Sequence, residues 1–360
     1  MSVLLDLHEE ITVVTLGTEE SDALAGVARR LCTRADGRVD NVGWVAAAGE
    51  AWEETPPMLR QAVRTFRRDS GRHGTLLLRG LPLGSDPLPP TPNADNSVQR
   101  TATCPAAVLM MVASGLGDPV AFMAEKSGAL VQDVVPVPDK ETSQSNAGSV
   151  PLMFHTENAF HAHRPDYVLL NCLRADQDGS AGLRVVSVRA LLPYLDDRTR
   201  EALWAEEFVT EPPPSFATRA GAEGVPHAVL HGHEDDPEIR VDLVATRPMT
   251  RRAGSALARL RDCCEAVSLS VYLSPGDLVV VDNRSALHGR SAFRARYDGY
   301  DRWLQRTFVL ADLRRSRRYR SQDGHVLNSW DVAESSWRST APTSTRDIFT
   351  TSRSPEAEGW

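Results

Sequence analysis

The chain has 360 residues, of which 41% are hydrophobic and 24% charged, and its formal net charge is −8. These are ordinary values for a globular protein with an ample core, and the acidic balance argues against nucleic acid or an anionic membrane as the main partner. No run approaches the roughly 18–20 apolar residues that span a bilayer, the first residues lack a signal-peptide pattern, and the five cysteines have no disulfide-framework spacing. We therefore expect a cytoplasmic protein.

The first third of the chain has helical periodicity. Apolar residues at helical spacing predict amphipathic helices over residues 19–33 and 57–68. A short apolar run closed by glycine and proline predicts a strand over 75–80. Residues 104–115 are apolar nearly all round, which predicts a buried helix.

From residue 130 the pattern favours strands, with a few helices between them. The predicted strands are 130–136, 167–173, 185–188, 238–244, 278–282 and 305–311, and the predicted helices are 190–194, 197–204 and 251–272. Many strands with a few packing helices indicate an α+β fold around a β-sandwich or jelly roll.

Two segments lack a regular pattern. Residues 207–226 are rich in Pro, Gly and Thr, and so long a loop in a compact domain is often a lid. Residues 321–360 are polar and rich in Ser, Thr and Arg, which predicts a poorly ordered C-terminal tail. We therefore expect a single domain over residues 1–320.

One ordered set of residues points to a metal centre. His155 and Glu157 are two positions apart, so on a β-strand both side chains point the same way. His288 follows the predicted strand 278–282 far along the chain. Two imidazoles and one carboxylate form the facial ligand set of non-haem Fe(II) oxygenases, which leaves three positions on the metal open. Arg302, shortly after the last of these residues, suits the outer carboxylate of a 2-oxoacid, which a guanidinium binds bidentately.

Four longer blocks carry a family resemblance: residues 125–136, 146–149, 154–161 and 297–306. Through these blocks the chain resembles the Fe(II)/2-oxoglutarate oxygenases of the clavaminate-synthase-like group, over roughly residues 20–320. Within that group it is most similar to the asparagine 3-hydroxylases of lipopeptide antibiotic biosynthesis. The resemblance implies a double-stranded β-helix core with packing helices and a lid loop. It also implies Fe(II), 2-oxoglutarate and O2 as cofactors.

The resemblance further implies roles for individual residues. Iron would be bound by His155, Glu157 and His288, and 2-oxoglutarate by Arg302. Contacts to the amino-acid substrate would come from Glu125, Asn146, Asn158, Asp242 and Arg306. The implied reaction hydroxylates C3 of free L-asparagine for nonribosomal peptide antibiotic assembly. A carrier protein of a peptide synthetase is a further partner if the substrate is tethered.

The chemistry of these side chains agrees with an amino-acid substrate. Arg306, four residues after Arg302 and on the same strand face, can bind an α-carboxylate, and Glu125 can pair with the ammonium. Asp242 can accept a side-chain N–H, and Asn146 or Asn158 can complete the hydrogen bonds of an amide. A side-chain carboxylate would be repelled by Asp242.

Three other interpretations stay open at this point. C3 hydroxylation of arginine or lysine is the nearest one, although Val244 stands where related arginine hydroxylases have a second acidic residue. A cupin-like protein without catalysis would be expected to have a broken ligand set. A zinc hydrolase could use the same three ligands, but it gives no reason for Arg302.

Some features of the sequence are assigned no role. Some members of the group have a threonine after the His-x-Glu strand to hold 2-oxoglutarate, but residues 181–184 of this chain have none. The pairs His161/His163 and His231/His233 resemble metal ligands, but their polar settings predict solvated histidines.

Overall fold

The computed structural model describes residues 11–216 and 224–328. Its strands are β1 (Thr12–Thr15), β2 (Thr75–Arg79), β3 (Asp118–Phe122), β4 (Gln132–Val134), β5 (Leu152–His155), β6 (Tyr167–Arg174), β7 (Leu183–Ser187), β8 (Phe208–Thr210), β9 (Leu230–His233), β10 (Asp236–Ile239), β11 (Thr246–Pro248), β12 (Leu269–Val271), β13 (Leu278–Asp282), β14 (Ala286–Arg290), β15 (Trp303–Leu310) and β16 (Val326–Leu327). Its helices are α1 (Thr18–Cys32), α2 (Val42–Trp52), α3 (Pro57–Arg68), α4 (Cys104–Leu116), α5 (Val188–Leu191), α6 (Asp197–Trp204) and α7 (Arg251–Val267).

Two sheets form the core. The larger sheet has the strand order β1-β2-β13-β6-β15-β3-β16, with β4 also paired to β15, and the smaller one has the order β12-β7-β14-β5. Most pairs are antiparallel, and consecutive neighbours in each sheet come from distant parts of the chain. Two sheets of this kind facing each other are a jelly roll, so the predicted α+β jelly-roll core is confirmed.

Successive side chains along the strands of the larger sheet point alternately to its two faces. Leu76, Leu78 and Val280 point outward into the cluster that α1–α4 cover. Leu77 and Val279, at the positions between them, point inward, toward the smaller sheet. This period of two is what a pleated strand imposes on a sheet that is buried on both faces.

The smaller sheet follows the same rule and thereby orients two important side chains. Phe154 and Leu287 point outward into the cluster formed with α5–α7, whereas Ala286 points inward. His155, next to Phe154, and His288, two residues after Ala286, therefore face the space between the sheets. That space is where the functional site lies.

Most of the predicted elements are confirmed, with shifted ends. The helix predicted over 251–272 ends at Val267, and its last residues form β12. The strand predicted over 238–244 is confined to β10, which ends at Ile239. Helix α2, which has glycines at two positions, and strand β14, which contains His288, Gly289 and Arg290, were not predicted.

The structure also bears on the predicted lid and tail. Phe208–Thr210, inside the predicted lid, is strand β8, paired with β11, and Phe208 is buried. Residues 217–223 of that segment lie outside the described residues. Val326–Leu327 pairs with β3 in the larger sheet, so the fold extends beyond residue 320, the limit predicted for the domain. Residues 329–360 lie outside the described part of the chain.

Candidate active site

The three candidate metal ligands meet where β5 and β14 pair. His155, at the end of β5, lies directly opposite His288 of β14 in the antiparallel register. Glu157 follows two residues later, and one nitrogen or oxygen atom from each of the three residues lies within 4.8 Å of the others. In residues 11–216 and 224–328, this is the one group of three or more His, Cys, Asp or Glu side chains with such spacing. The predicted set is therefore brought together.

The imidazoles are oriented so that each can offer a ring nitrogen to the centre. His155 Nδ1 lies 2.9 Å from the carbonyl oxygen of Met153. A carbonyl only accepts, so Nδ1 carries the proton and Nε2 keeps its lone pair. His288 Nε2 lies 3.4 Å from Glu157 Oε2, and the two imidazole centroids are 4.3 Å apart.

Asn283 positions the backbone of Glu157 and was not predicted. Its Oδ1 accepts from Glu157 N at 2.7 Å, and its Nδ2 donates to the carbonyls of Glu157 (3.2 Å) and Pro165 (2.8 Å). The side chain is fully buried, in the turn between β13 and β14. A polar residue directly after the buried β13 was the available sequence signal.

The charges around Glu157 favour its ionised form. Burial alone would raise the pKa of this carboxyl, but Arg306 and the imidazoles of His155 and His288 outweigh it and hold the pKa well below its usual range. Burial lowers the pKa of His288, and the neighbouring His155 lowers it further. An ionised Glu157 beside an uncharged His288 is the state that a divalent metal requires of these two ligands.

The three residues therefore fit a non-haem iron centre. His155 Nε2, His288 Nε2 and the Glu157 carboxylate are the nitrogen and oxygen donor types that Fe(II) accepts with open positions left over. Among the described residues no fourth His, Cys, Asp or Glu joins the group.

An inner cavity next to His288 contains Arg302. Glu157, His288, Leu183 and Arg302 are among its lining residues. Arg302 is only 6% exposed, and within the described ranges its guanidinium makes no ion pair with a carboxylate. A buried cation of this kind fits an anionic ligand. Leu183 supplies no hydroxyl, in agreement with the absence of a threonine noted in the sequence.

The main cavity, of about 490 Å³, contains the residues predicted to bind an amino acid. Arg306 forms a close ion pair with Glu125 and lies 3.2 Å from Glu157 Oε2. It also donates to Gln132 Oε1 at 2.6 Å, a contact that sequence reasoning missed. Arg306 Nε and Glu125 Oε2 are both buried without a hydrogen-bond partner, so each can still bind a ligand group.

The Glu125 carboxylate is held in a dry environment. Burial raises the pKa of Glu125, Arg306 opposes this increase, and the like charge of Glu157 adds to it. A cation placed against Glu125 would therefore be bound strongly.

Asp242 has one oxygen committed to the backbone and one that is not. Its Oδ1 accepts from Val244 N at 2.7 Å and from Ala245 N at 2.9 Å, which fixes the carboxylate as a turn cap. No hydrogen bond to Oδ2 is present within the described ranges, and Asp242 lines the main cavity. Asp242 can therefore cap the turn through one oxygen and contact a ligand through the other.

Asn146 and Asn158 also reach this region. Asn146 lines both cavities. Asn158 has a backbone φ of +52°, a left-handed conformation that asparagine tolerates better than most residues, and its Nδ2 is buried without a partner. All nine residues predicted for the site thus line one of the two cavities.

The histidines that were set aside differ from one another. His233 is exposed, as predicted. The prediction of solvation is wrong for His161, which is 2% exposed and packs edge-on against Phe122, Phe160 and Phe216. Burial lowers the pKa of His161 to about 3, so the ring is neutral and acts as a core aromatic residue.

A jelly roll that holds two imidazoles and a carboxylate between its sheets defines the class of non-haem iron oxygenases. The sequence profile of the taurine catabolism dioxygenase TauD, TfdA family matches residues 42–308, and the chain belongs to this family.

Particular relatives agree with that assignment. The chain is 56% identical to an L-asparagine oxygenase of Streptomyces coelicolor over 316 residues, which cover 88% of this chain and 95% of that protein. It is 33% identical to clavaminate synthase 2 of Streptomyces clavuligerus, covering 76% and 86%. A crystal structure of asparagine oxygenase with Fe(II), 2S,3S-3-hydroxyasparagine and succinate superposes with a TM-score of 0.85 at 55% identity, covering 88% of this chain and 99% of that one. The resemblance stated from the sequence is confirmed.

Proposed function

We propose that the protein hydroxylates C3 of free L-asparagine, with Fe(II), 2-oxoglutarate and O2, to give 3-hydroxyasparagine. The observation that carries the proposal is the set of charged side chains that line the main cavity. Arg306 and Glu125 can receive the two α-groups, and Asp242 offers a single carboxylate oxygen to the side chain. The asparagine oxygenase that this chain resembles has been crystallised with the corresponding product.

Arg306 and Glu125, which form an ion pair with each other, would also bind the α-carboxylate and the α-ammonium group of the amino acid. Arg306 Nε and Glu125 Oε2, both buried without a partner, would bind the α-carboxylate and the ammonium. Because charge-assisted hydrogen bonds are short and directional, these two contacts would fix the orientation of the backbone atoms of the substrate. Gln132 would hold Arg306 in place from the other side.

Asp242, Asn146 and Asn158 would recognise the side-chain amide of the substrate. Asp242 Oδ2 can accept only, so it would select the NH2 end of a carboxamide. Asn158 Nδ2, a buried donor without a partner, would serve the amide oxygen, and Asn146 would lie between the substrate and the inner cavity.

Arginine and lysine fit this cavity less well. A guanidinium prefers two acceptor oxygens, but Asp242 Oδ1 is already used by Val244 N and Ala245 N. Val244 itself is 53% exposed and apolar. One available oxygen suits a neutral carboxamide.

His155, Glu157 and His288 would hold Fe(II), and Arg302 would hold 2-oxoglutarate. When bound, iron and 2-oxoglutarate supply the oxidising chemistry: one oxygen atom of O2 replaces the C3–H bond by C3–OH, and the other goes into succinate as CO2 leaves. The residues of the chain bind and orient the reactants. Asn283 fixes Glu157, and Arg306, Glu125 and Asp242 aim C3 of asparagine.

Residues 207–226 would cover the cavity as a lid. Thr210, Glu211, Pro212, Pro213 and Phe216 line it on one side. An ion pair between Arg247 and Glu211 lies at the cavity, and Phe216 packs against Phe122 and Phe160. These contacts would anchor the first part of the lid.

The wider setting stays a set of predictions: a cytoplasmic enzyme whose product enters nonribosomal peptide antibiotic assembly, with a carrier protein as partner if the substrate is tethered. Within the described residues, no helix has the length and apolar character needed to cross a membrane.

The function is tested by incubating the protein with Fe(II), 2-oxoglutarate and a panel of free amino acids and measuring succinate and the +16 Da (about one oxygen atom) amino-acid product by mass spectrometry. Hydroxylation of asparagine at C3, well above aspartate, glutamine, arginine and lysine, is expected. Preference for arginine or lysine would refute the substrate, and absence of succinate with every amino acid would refute the activity.

A further inference from the structure

Three arginines line the inner cavity: Arg302, Arg306 and Arg290. Arg290, the last residue of β14, lines this cavity together with Arg302 and His288. It is only 3% exposed. Because it lies two residues after His288 on the same strand, its side chain leaves the sheet on the same inward face.

Arg290 has no acidic partner. Its guanidinium donates to the carbonyl oxygen of Val150 at 2.9 Å and stacks on Phe293 at 5.0 Å from the ring centroid. Its Nε is buried without a hydrogen-bond partner. Within the described ranges neither Arg290 nor Arg302 forms an ion pair, in contrast to Arg306.

Two buried guanidinium groups beside one cavity repel each other, and burial removes the water that would screen them. An anion beside both groups would offset this repulsion. Glu157, a carboxylate that also lines this cavity, is already ion-paired with Arg306, and no carboxylate in the described ranges is ion-paired with Arg290 or Arg302. A negatively charged ligand can therefore supply the missing charge. The ligand would have to be negatively charged at the end of the cavity that these two residues line.

The strand geometry places Arg290 at the end remote from the metal ligands. It lies one pleat repeat, about 7 Å, beyond His288 along β14. On the neighbouring strand β7, its register partner is Leu183, whose side chain has no hydrogen-bonding group. A 2-oxoacid whose keto and C1 carboxylate oxygens lie at the metal would direct its C5 carboxylate toward this end.

We propose that Arg290 and Arg302 together bind the C5 carboxylate of 2-oxoglutarate, and that Arg290 is a second co-substrate-binding residue. The proposal deepens the function proposed above and rests on it for the identity of the co-substrate. A 2-oxoacid without a second carboxylate would leave both guanidinium groups unneutralised, so its binding should not depend on Arg290.

The test measures binding without turnover. Calorimetric titrations of 2-oxoglutarate and of 2-oxobutyrate, which lacks the second carboxylate, are made anaerobically into the Fe(II)-loaded protein in the absence of any amino acid. In Arg290→Met the Kd for 2-oxoglutarate should rise by roughly 10- to 100-fold, the range for loss of a charge-assisted hydrogen bond. The Kd for 2-oxobutyrate should change by less than about 3-fold, and Arg290→Lys should recover part of the loss.

A matched control removes another buried arginine. Arg320 also donates to backbone carbonyls, those of Leu313 and Gly324, but it lines neither cavity, so Arg320→Met should bind both acids normally. Unchanged 2-oxoglutarate binding in Arg290→Met would overturn the proposal. An equal loss for both acids would overturn it too, because it would indicate that Arg290 only supports the fold around Val150 and Phe293.

If Arg290→Met does not fold, the ratio of the Kd for 2-oxobutyrate to the Kd for 2-oxoglutarate is measured in Arg290→Lys and Arg290→Gln. A ratio equal to that of the unaltered protein refutes the binding of the C5 carboxylate by Arg290. Since no amino acid is present, failure of the asparagine assignment leaves this result interpretable. Failure of the co-substrate assignment would appear separately, as absence of 2-oxoglutarate binding in the unaltered protein.

Discussion

Asp242 and His155 lie opposite each other as partners in an isolated antiparallel β-bridge. Asp242, which is proposed to bind the substrate side chain, is therefore held by backbone pairing beside His155, a proposed iron ligand. Thr156 N donates to the carbonyl of Val241 at 2.7 Å and adds a second tie between the two segments. The distance between the metal centre and the side-chain end of the cavity is thus set by backbone pairing, which favours reaction at one carbon of the substrate.

Replacement of Asp242 by Asn should invert the preference between asparagine and aspartate. Oδ1 must stay an acceptor for Val244 N and Ala245 N, so the new NH2 takes the place of Oδ2 and faces the cavity. A donor there bonds to a carboxylate and not to an amide NH2. Competitive turnover of the two amino acids, read by mass spectrometry, measures the effect.

The unaltered protein should favour asparagine over aspartate by at least ~100-fold, on the order of 3 kcal/mol for a buried like-charge contact. An Asp242→Asn protein that still prefers asparagine would contradict the assignment of the side-chain contact. The metal assignment would not be affected by that outcome.

Removal of a proposed iron ligand should abolish turnover and weaken Fe(II) binding. His155→Ala or His288→Ala leaves one imidazole and one carboxylate, which is too few for the facial set. Equilibrium dialysis with Fe(II) and the succinate assay report the two effects. His233→Ala, at an exposed position, is the matched control and should leave both unchanged. Full activity in His288→Ala would rule out the metal centre.

Arg302 and Arg306 should affect different reactants. Arg302→Ala should raise the KM for 2-oxoglutarate far more than that for asparagine, through loss of a bidentate pair of roughly 2–4 kcal/mol. Arg306→Ala should do the reverse, and it should also lower stability because Glu125 and Glu157 lose their shared cation. Steady-state kinetics with each reactant varied, plus thermal unfolding, check this. The same co-substrate defect in both variants would disprove the division of roles.

Asn283→Ala should reduce metal affinity without touching a ligand side chain. It removes three buried hydrogen bonds, two of them to the backbone of Glu157. Loss of such an orienting residue costs about 10- to 100-fold in metal affinity. Asn41→Ala serves as the control, since Asn41 caps α2 and its loss should cost about 1 kcal/mol of stability with unchanged Fe(II) affinity. Equal Fe(II) affinity in both variants would refute the positioning role.

Stability should fall with acid because His161 is buried neutral. Burial lowers the pKa of His161 from 6.5 to about 3, so below pH 6.5 the unfolded chain binds a proton that the folded protein excludes. The contribution is fully present above the unfolded pKa and is lost progressively as pH decreases from 6.5 toward 3.

Between pH 7 and pH 5 this histidine should account for about 2 kcal/mol of lost unfolding free energy. His161→Phe, which keeps an aromatic ring among Phe122, Phe160 and Phe216, should flatten that part of the dependence in urea unfolding at several pH values. His233→Phe should not change it. An unaltered slope in His161→Phe would show that His161 does not titrate in this way.

The sequence was sufficient for the parts of the site whose residues have distinctive chemistry and fixed spacing. His155, Glu157, His288 and Arg302 could be predicted because ligand type and order are specified along the chain. Asn283 was not predicted: its place directly after a buried strand was a signal, but its hydrogen bonds to the backbone of another segment have no local pattern. The same holds for Gln132, whose role depends on the pairing of β4 with β15.

The burial of individual side chains was the property that the sequence predicted least well. His161 lies in a loop with the polar residues His163 and Arg164, but Phe122 and Phe216 from distant segments enclose it together with its neighbour Phe160. Strand β14 was missed because Ala286, His288, Gly289 and Arg290 do not alternate between apolar and polar, although all of them are buried. A strand that is covered on both faces loses the period on which such predictions depend.

The register of β5 against β14 has a consequence for how such proteins can diversify. His155 and His288 lie opposite each other in paired strands, whereas Val244 and Asn158 lie in turns outside the strands. Changes in length or composition of those turns can alter which amino acid is accepted while the imidazoles keep their separation. The substrate that the cavity accepts can therefore change through these turns while the backbone that holds the metal ligands stays the same.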